Sequence, residues 1–205
     1  MDAIILVGGQ GSRLRGFIPE GTPKCMAQVG ERTFIEILLG HLMGYNGIKK
    51  FIFCTGYEAE TVERHIKGIV GSREFSGIDI EMYFSRETYP MGTGGCLIGA
   101  LRYLGGDPAF IFNGDTLHEI DPLEMFRGLG DDWFGMAYID GSGAFCGSFL
   151  FEKEWLDRLP TLRPPFSLED AIDKFGGVKK IPSPYVYEDI GTPERLRMFR
   201  EKYGG

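Results

Sequence analysis

Short apolar runs that end at glycine or polar turn residues alternate along the chain with segments that begin like helices. The runs at residues 3–7, 50–54, 78–84 and 109–112 are partly β-branched or aromatic, which is typical of buried strands. Strands that alternate with helices indicate a mostly parallel sheet covered on both faces. We therefore predict an α/β fold with three layers.

Several segments carry helix-start signals. Thr33-Phe34-Ile35-Glu36 is a capping box, in which the threonine and glutamate side chains satisfy free N–H groups of the first turn. Asp121-Pro122 and Thr192-Pro193 place a capping residue before proline, which favours the first helical position. Further helices are predicted at residues 58–67 and 96–104, and from Ser167 to a stop at Gly176 and Gly177.

The position of the strands predicts where a ligand would bind. In parallel α/β sheets, ligands bind at the carboxyl ends of the strands. The functional loops should therefore follow Val7, Cys54, Phe84 and Phe112.

Length and charge narrow the classes of protein that need to be considered. A chain of 205 residues is consistent with one domain spanning 1–205. Its net charge of -7 provides no general attraction for nucleic acid or an anionic membrane. The first apolar run is interrupted by Gly8 and Gly9, which is too early for a signal peptide or a membrane span, so we expect a cytoplasmic protein.

The four cysteines are Cys25, Cys54, Cys96 and Cys146. Their wide separation suggests neither a disulfide framework nor a zinc knuckle. We interpret them as mostly buried free thiols.

The loop after the first strand reads Gly8-Gly9-Gln10-Gly11-Ser12-Arg13-Leu14 and is followed by Pro23-Lys24. Closely spaced glycines let backbone N–H groups approach phosphate oxygens, and the two basic side chains supply positive charge. A dinucleotide fingerprint would need glycine in place of Leu14, and a P-loop would need Gly-Lys-Ser/Thr. A glycine turn without a ligand is the structural alternative.

Four later segments follow this loop along the chain, and we interpret them together with it. They are Thr55-Gly56-Tyr57, Met91-Gly92-Thr93-Gly94-Gly95, Asn113-Gly114-Asp115-Thr116 and Asp189-Ile190-Gly191-Thr192-Pro193-Glu194. Together the five segments resemble the sugar-nucleotide pyrophosphorylases over nearly the whole chain. The resemblance implies a Rossmann-like three-layer α/β/α domain of the nucleotide-diphospho-sugar transferase type, with a mostly parallel mixed sheet.

The resemblance also implies roles for individual residues. Arg13 and Lys24 would be catalytic, while Asp115 and Asp189 would bind Mg²⁺, a hard cation that prefers carboxylates, phosphate oxygens and water. The implied nucleotide-binding residues are Leu6, Gly8, Gly9, Gly11, Ser12, Arg13, Thr55, Gly56, Gly92, Thr93, Gly94, Gly95, Asn113 and Asp115.

The implied substrates are a nucleoside triphosphate and a sugar 1-phosphate. The Gly-Thr-Gly-Gly form at 92–95 resembles that of the guanylyltransferases that activate heptose 1-phosphate, which favours GTP, although amino-sugar uridylyltransferases carry a related Thr-Gly-Gly. A sugar 1-phosphate is already an anionic nucleophile, so the protein needs to supply only alignment and charge neutralisation. His41, His65 and His118 are left without a role.

The chain departs from the family between residues 117 and 144, which form a short segment without a recognisable Glu-Lys pair. Glu152-Lys153 comes only after the strand that follows. This leaves two alternatives open: uridylyl or cytidylyl transfer to another acceptor, such as a hexose phosphate or phosphocholine, and a nucleotide-binding module without catalysis. Trp133, Trp155 and Phe166 would suit a homodimer contact or a core equally well.

Overall fold

The computed structural model describes residues 1–45, 47–75, 77–105, 108–119, 121–131 and 133–204. The strands are β1 (Asp2–Leu6), β2 (Gln28–Val29), β3 (Arg32–Thr33), β4 (Lys50–Thr55), β5 (Glu81–Arg86), β6 (Ala109–Asn113), β7 (Thr116–His118), β8 (Gly135–Ile139), β9 (Phe145–Phe151), β10 (Val178–Pro182) and β11 (Tyr187–Asp189). The α-helices are α1 (Phe34–Met43), α2 (Ala59–Val70), α3 (Gly92–Ala100), α4 (Pro122–Gly128), α5 (Lys153–Leu156), α6 (Leu168–Phe175) and α7 (Pro193–Tyr203).

Seven of the described strands form one sheet in the order β10-β8-β9-β6-β1-β4-β5. β1 lies parallel to both β4 and β6, and β4 lies parallel to β5. β9 runs antiparallel to β6 and to β8. The predicted mostly parallel mixed sheet is confirmed.

Alternate residues of the central strands pack on opposite faces of the sheet, because successive side chains of a strand point to opposite sides. Ala3 and Ile5 of β1 belong to a core shared with α1, α2, α4 and α7, whereas Ile4 belongs to a second core with α3, α5 and α6. Trp155, fully buried and stacked on Phe151 with ring centroids 4.1 Å apart, is part of this second core. The two cores make the three layers that the sequence predicts.

Most of the predicted helix starts are present with the expected caps. The Thr33 capping box with Glu36 opens α1. Asp121 Oδ1 accepts a hydrogen bond from the Leu123 N–H at the start of α4, and Ser167 Oγ accepts one from the Asp170 N–H in α6. Each cap satisfies an N–H group that the first helical turn leaves free.

Several predicted boundaries are wrong, among them the end of the helix expected at 58–67, which continues to Val70. The strand expected at 78–84 begins only at Glu81, because Ile78 is 41% exposed and donates its N–H to Phe75 O in a turn. The helix expected at 96–104 begins at Gly92 and its α-helical part ends at Ala100. The glycine segment expected before this helix therefore forms its first turn.

None of the helices within the described ranges is long and apolar enough to cross a membrane.

Candidate functional site

A cavity of about 600 Å³ opens at the carboxyl ends of β1, β4, β5 and β6. Its lining comes from residues 6–10, 56–57, 87–90 and 113–115, joined by Lys24, Cys25, Cys54, Gly92, Thr93 and Cys96. These segments include the loops that follow all four predicted strands. The four loops meet at one edge of the sheet, and that they bind a ligand stays a prediction.

An ion pair lies in the lining of this cavity. Lys24, which is 8% exposed, donates from Nζ to Asp115 Oδ2. The other carboxylate oxygen, Oδ1, accepts a hydrogen bond from Thr116 Oγ1 at 3.0 Å. Gly11 of the first loop lies against this lysine, since a Cβ atom at position 11 would be 2.8 Å from Lys24 Cβ. The glycine loop, the lysine and the first predicted metal ligand are therefore neighbours.

The second predicted metal ligand comes close to this ion pair through a two-stranded sheet. Antiparallel β11 and β7 place Asp189 opposite Thr116, and the Ile190 N–H donates to Asp115 O at 3.0 Å. The Asp189 carboxylate accepts hydrogen bonds from the Gly191 N–H at 2.8 Å and from Arg195 Nη1. Residues that are far apart in the sequence thus bring both aspartates to one place.

Positive charge also gathers beside Gly191. A Cβ atom built there would lie 3.4 Å from Lys24 Nζ and 3.6 Å from Arg13 Nη2. With Arg195 on Asp189, three cationic side chains face two carboxylates, which suits polyanionic phosphates. Within the described part of the chain, no group of three or more His, Cys, Asp or Glu side chains could hold a metal alone.

A third carboxylate, from Glu87, lines the cavity, and the sequence reasoning missed it. Its Oε2 accepts a hydrogen bond from the Met91 N–H at 3.0 Å. Its Oε1 faces the first and second loops, 3.1 Å from where a Cβ atom would lie on Gly8 and closer still to one on Gly56. Burial raises the pKa of Glu87, against the opposing effect of the Met91 N–H. Its position directly after β5, where a functional loop was expected, is the signal that could have found it.

The Gly92-Thr93-Gly94-Gly95 segment divides between two environments. Gly92 and Thr93 line the cavity. Gly94 and Gly95 are buried, and their N–H groups donate to Phe166 O at 3.1 and 3.3 Å. The Leu168 N–H donates to Thr93 Oγ1 at 3.0 Å, so residues 166–168 are fastened to the first turn of α3. The two buried glycines hold this segment in place.

The predicted nucleotide-binding residues divide into those that line the cavity and those that do not. Those in the cavity lining are Leu6, Gly8, Gly9, Gly56, Gly92, Thr93, Asn113 and Asp115. Those outside it are Gly11, Ser12, Arg13, Thr55, Gly94 and Gly95. Ser12 and Arg13 are exposed, whereas Thr55 is buried and donates to Glu63 Oε1 at 3.0 Å. Nucleotide contact by any of these residues stays a prediction.

Two curated relatives of this chain are guanylyltransferases of the same name. The chain is 40% identical over 127 residues to the D-glycero-alpha-D-manno-heptose 1-phosphate guanylyltransferase of Aneurinibacillus thermoaerophilus, covering 62% of this chain and 51% of the relative. The Campylobacter jejuni protein of the same name is 37% identical over 121 residues, covering 59% of this chain and 50% of the relative. The chain therefore spans about half the length of these curated relatives.

A solved structure shows the same fold. HddC from Yersinia pseudotuberculosis, complexed with GMP-PN, matches with a TM-score of 0.81 and 24% identity, over 98% of this chain and 99% of that one. A model of the nucleotidyl transferase family matches residues 2–132, more than half of the chain. The chain belongs to the nucleotidyl transferase family.

Proposed function

We propose that the protein transfers a nucleotidyl group from a nucleoside triphosphate to a sugar 1-phosphate and releases pyrophosphate. GTP and heptose 1-phosphate are the favoured substrates. One observation carries the proposal: a single cavity is lined both by the Lys24–Asp115 ion pair and by the Glu87 carboxylate. The part around the ion pair, the phosphate end, suits phosphates and a metal ion, and the part around Glu87, the base end, suits a base that donates hydrogen bonds.

The phosphate end supports in-line substitution at the α-phosphorus. An oxygen of the sugar 1-phosphate forms a bond to that phosphorus while the bond to the departing pyrophosphate oxygen breaks. Negative charge is spread over the phosphoryl oxygens in the transition state, and fixed cations stabilise it. We assign this role to Lys24 and Arg13, whose cationic groups both lie beside Gly191. The attacking oxygen is already ionised, so the protein does not need to remove a proton.

Mg²⁺ is the metal ion that the donor groups suit best. Mg²⁺ binds through one or two carboxylates together with phosphate oxygens and water. Asp115 directly precedes β7 and Asp189 ends the neighbouring strand β11, and each carboxylate already accepts from a cationic side chain, Lys24 or Arg195. We propose that these two aspartates hold Mg²⁺ with the triphosphate. The ion would neutralise phosphate charge.

The base end supports the preference for guanine. Guanine presents two neighbouring donors, N1–H and the exocyclic amine, whereas uracil presents one N–H between two carbonyl groups. A carboxylate accepts from such paired donors through charge-assisted hydrogen bonds. Glu87 Oε1 faces the cavity beside Gly8 and Gly56. The names of the relatives, heptose 1-phosphate guanylyltransferases, agree with this assignment.

The sugar is the part of the proposal that depends most on the relatives. The Glu-Lys pair of this chain is not part of the cavity lining. Glu152 directly precedes α5, and Lys153 forms an ion pair with Asp157. The choice of heptose 1-phosphate therefore follows from the names of the relatives.

Because its substrates are cytoplasmic metabolites, we also propose that the protein acts in the cytoplasm.

Pyrophosphate release tests the proposal. The purified protein and Mg²⁺ are assayed with each nucleoside triphosphate against heptose, mannose, glucose and N-acetylglucosamine 1-phosphates. Turnover with GTP and heptose 1-phosphate is expected. Lys24→Ala should lower kcat about 10²- to 10³-fold, as loss of a preorganised charge does elsewhere. Lys153→Ala, which removes an exposed lysine paired with Asp157, is the matched control and should keep full activity. Absence of pyrophosphate with every pair would overturn the proposal.

A further inference from the structure

Two cysteines meet in the wall of the nucleotide cavity. Cys54 lies near the end of β4 and Cys96 in α3, separated by 42 positions in the sequence. Cys54 Sγ donates to the backbone oxygen of Cys96 at 3.7 Å, and the Cys96 thiol raises the pKa of the Cys54 thiol. Both residues belong to the lining of the cavity. The fold therefore brings together two thiols that the sequence gives no reason to pair.

The two thiols differ in accessibility and reactivity. Cys54 is 1% exposed, whereas Cys96 is half-buried and donates from Sγ to Thr93 O at 3.4 Å. The hydrogen bond to Cys96, followed by burial, raises the pKa of the Cys54 thiol. Reactivity of a cysteine depends on its exposure and on its thiolate fraction. An oxidant that enters the cavity should therefore react first with Cys96.

The other cysteine of the cavity is a natural control. Cys25 also lines it, but its side chain lies against Val7 O, 4.0 Å away, and it is 3% exposed. Burial raises the pKa of Cys25 to about 12. It shares the cavity with the pair but has neither the accessibility of Cys96 nor a neighbouring thiol contact.

We infer that Cys54 and Cys96 form a redox-sensitive dithiol that hydrogen peroxide oxidises to a disulfide. The Cys96 sulfur attacks one peroxide oxygen, which gives a sulfenic acid and one water molecule. The Cys54 sulfur then attacks the Cys96 sulfur, so that the S–S bond forms, the S–O bond breaks and a second water molecule leaves. The two thiols lose two protons and two electrons in all, and the peroxide is reduced to water. Transient disulfides of this kind are the usual redox sensors of reducing compartments.

The disulfide would act directly on the proposed nucleotide site. Cys96 lies one helical turn after Gly92 and Thr93, and Cys54 lies two residues before Gly56, all of which line the cavity. A covalent bond between α3 and β4 fixes these two walls relative to each other. Oxidation should therefore block nucleotide binding, and bound nucleotide should shield Cys96. This effect on activity rests on the proposed function, whereas formation of the disulfide does not.

The first test maps the bond in the protein of 205 residues. The reduced protein is treated with hydrogen peroxide, remaining thiols are alkylated, and peptides are analysed by mass spectrometry with and without dithiothreitol. The expected result is a reducible cross-link between the peptides of Cys54 and Cys96. It should be lost in Cys96→Ser and kept in Cys25→Ser. Oxidation of Cys96 to sulfinic acid without a link to Cys54, or a link to Cys25, would overturn the inference.

The second test measures the consequence. Pyrophosphate release should fall in proportion to the fraction of cross-linked protein, return with dithiothreitol, and resist peroxide in Cys54→Ser. Full activity of the cross-linked protein would overturn the regulatory role. If the reduced protein releases no pyrophosphate, the proposed function fails, and the peptide map still decides whether the dithiol exists.

Discussion

Replacing Gly94 by alanine separates a packing role of the glycine segment from direct nucleotide contact. A Cβ atom at position 94 would lie 2.6 and 2.7 Å from two ring carbons of Phe166, and 2.8 Å from Ser167 O. These distances are well below van der Waals contact, and one of the atoms belongs to the backbone. The segment at 166–168 would therefore have to move away from α3.

The cost combines three effects of known size. Forcing a methyl group into a packed position costs about 1–3 kcal/mol, and losing the hydrogen bond from the Gly94 N–H to Phe166 O costs about 1 kcal/mol more. Alanine in place of glycine within a helix recovers about 1 kcal/mol. We expect a net loss of about 2 kcal/mol, which for a chain of this length lowers the Tm by roughly 4–8 °C.

Thermal and urea unfolding of the protein without nucleotide measure this loss. Gly68→Ala is the matched control, because Gly68 lies in α2 and a Cβ atom there would meet nothing within 4 Å. It should gain about 0.5–1 kcal/mol. If Gly94→Ala keeps the wild-type Tm, the packing argument is refuted. Weaker nucleotide binding with unchanged stability would support direct contact instead.

Two further predictions concern ionisable side chains. Glu87→Gln removes a charged acceptor, so by calorimetry GTP should bind about 10- to 100-fold more weakly, while UTP binding should hardly change; equal losses for both nucleotides would contradict the base assignment. His118 is buried, its Nε2 has no hydrogen-bond partner among the described residues, and its pKa is lowered to about 4 by burial and then by His41. Between pH 6.5, the ordinary pKa, and about pH 4, the unfolded state therefore binds more protons than the folded state does. The free energy of unfolding should fall by about 3 kcal/mol as the pH drops through that range. Urea titrations should show His118→Phe without this component, and identical pH slopes for both proteins would disprove the assignment.

The sheet could be predicted from local signals because its core leaves a direct pattern in the sequence. Runs such as Ala109–Asn113 are apolar on both faces, and parallel strands buried on both sides require this. Asp121 and Ser167 mark helix starts through bonds to N–H groups two or three residues away. Contacts of this range can be recognised from a few neighbouring letters.

The parts of the site that escaped prediction depend on residues far apart in the chain. The ring of Phe166 packs where a Cβ atom of residue 94 would lie, and Pro164 does the same at Gly95. Nothing near residues 92–95 in the sequence indicates either partner. Glu87 follows a strand as expected, but its meaning comes from Gly8 and Gly56 on two other loops. Tertiary proximity assigned these roles, and the local pattern could not.

Each of the two proposed metal ligands is paired with a cationic side chain, which bears on the proposed reaction. Lys24 holds Asp115, and Arg195 holds Asp189, so neither carboxylate is left without a cation, which would be costly for half-buried groups. If a triphosphate draws Lys24 away, Asp115 needs a new cation, and Mg²⁺ supplies one. If a metal ion binds Asp115 first, Lys24 needs a new anion, and the phosphates supply it. On the proposed function, nucleotide and metal should therefore bind cooperatively, because each replaces the partner that the other removes.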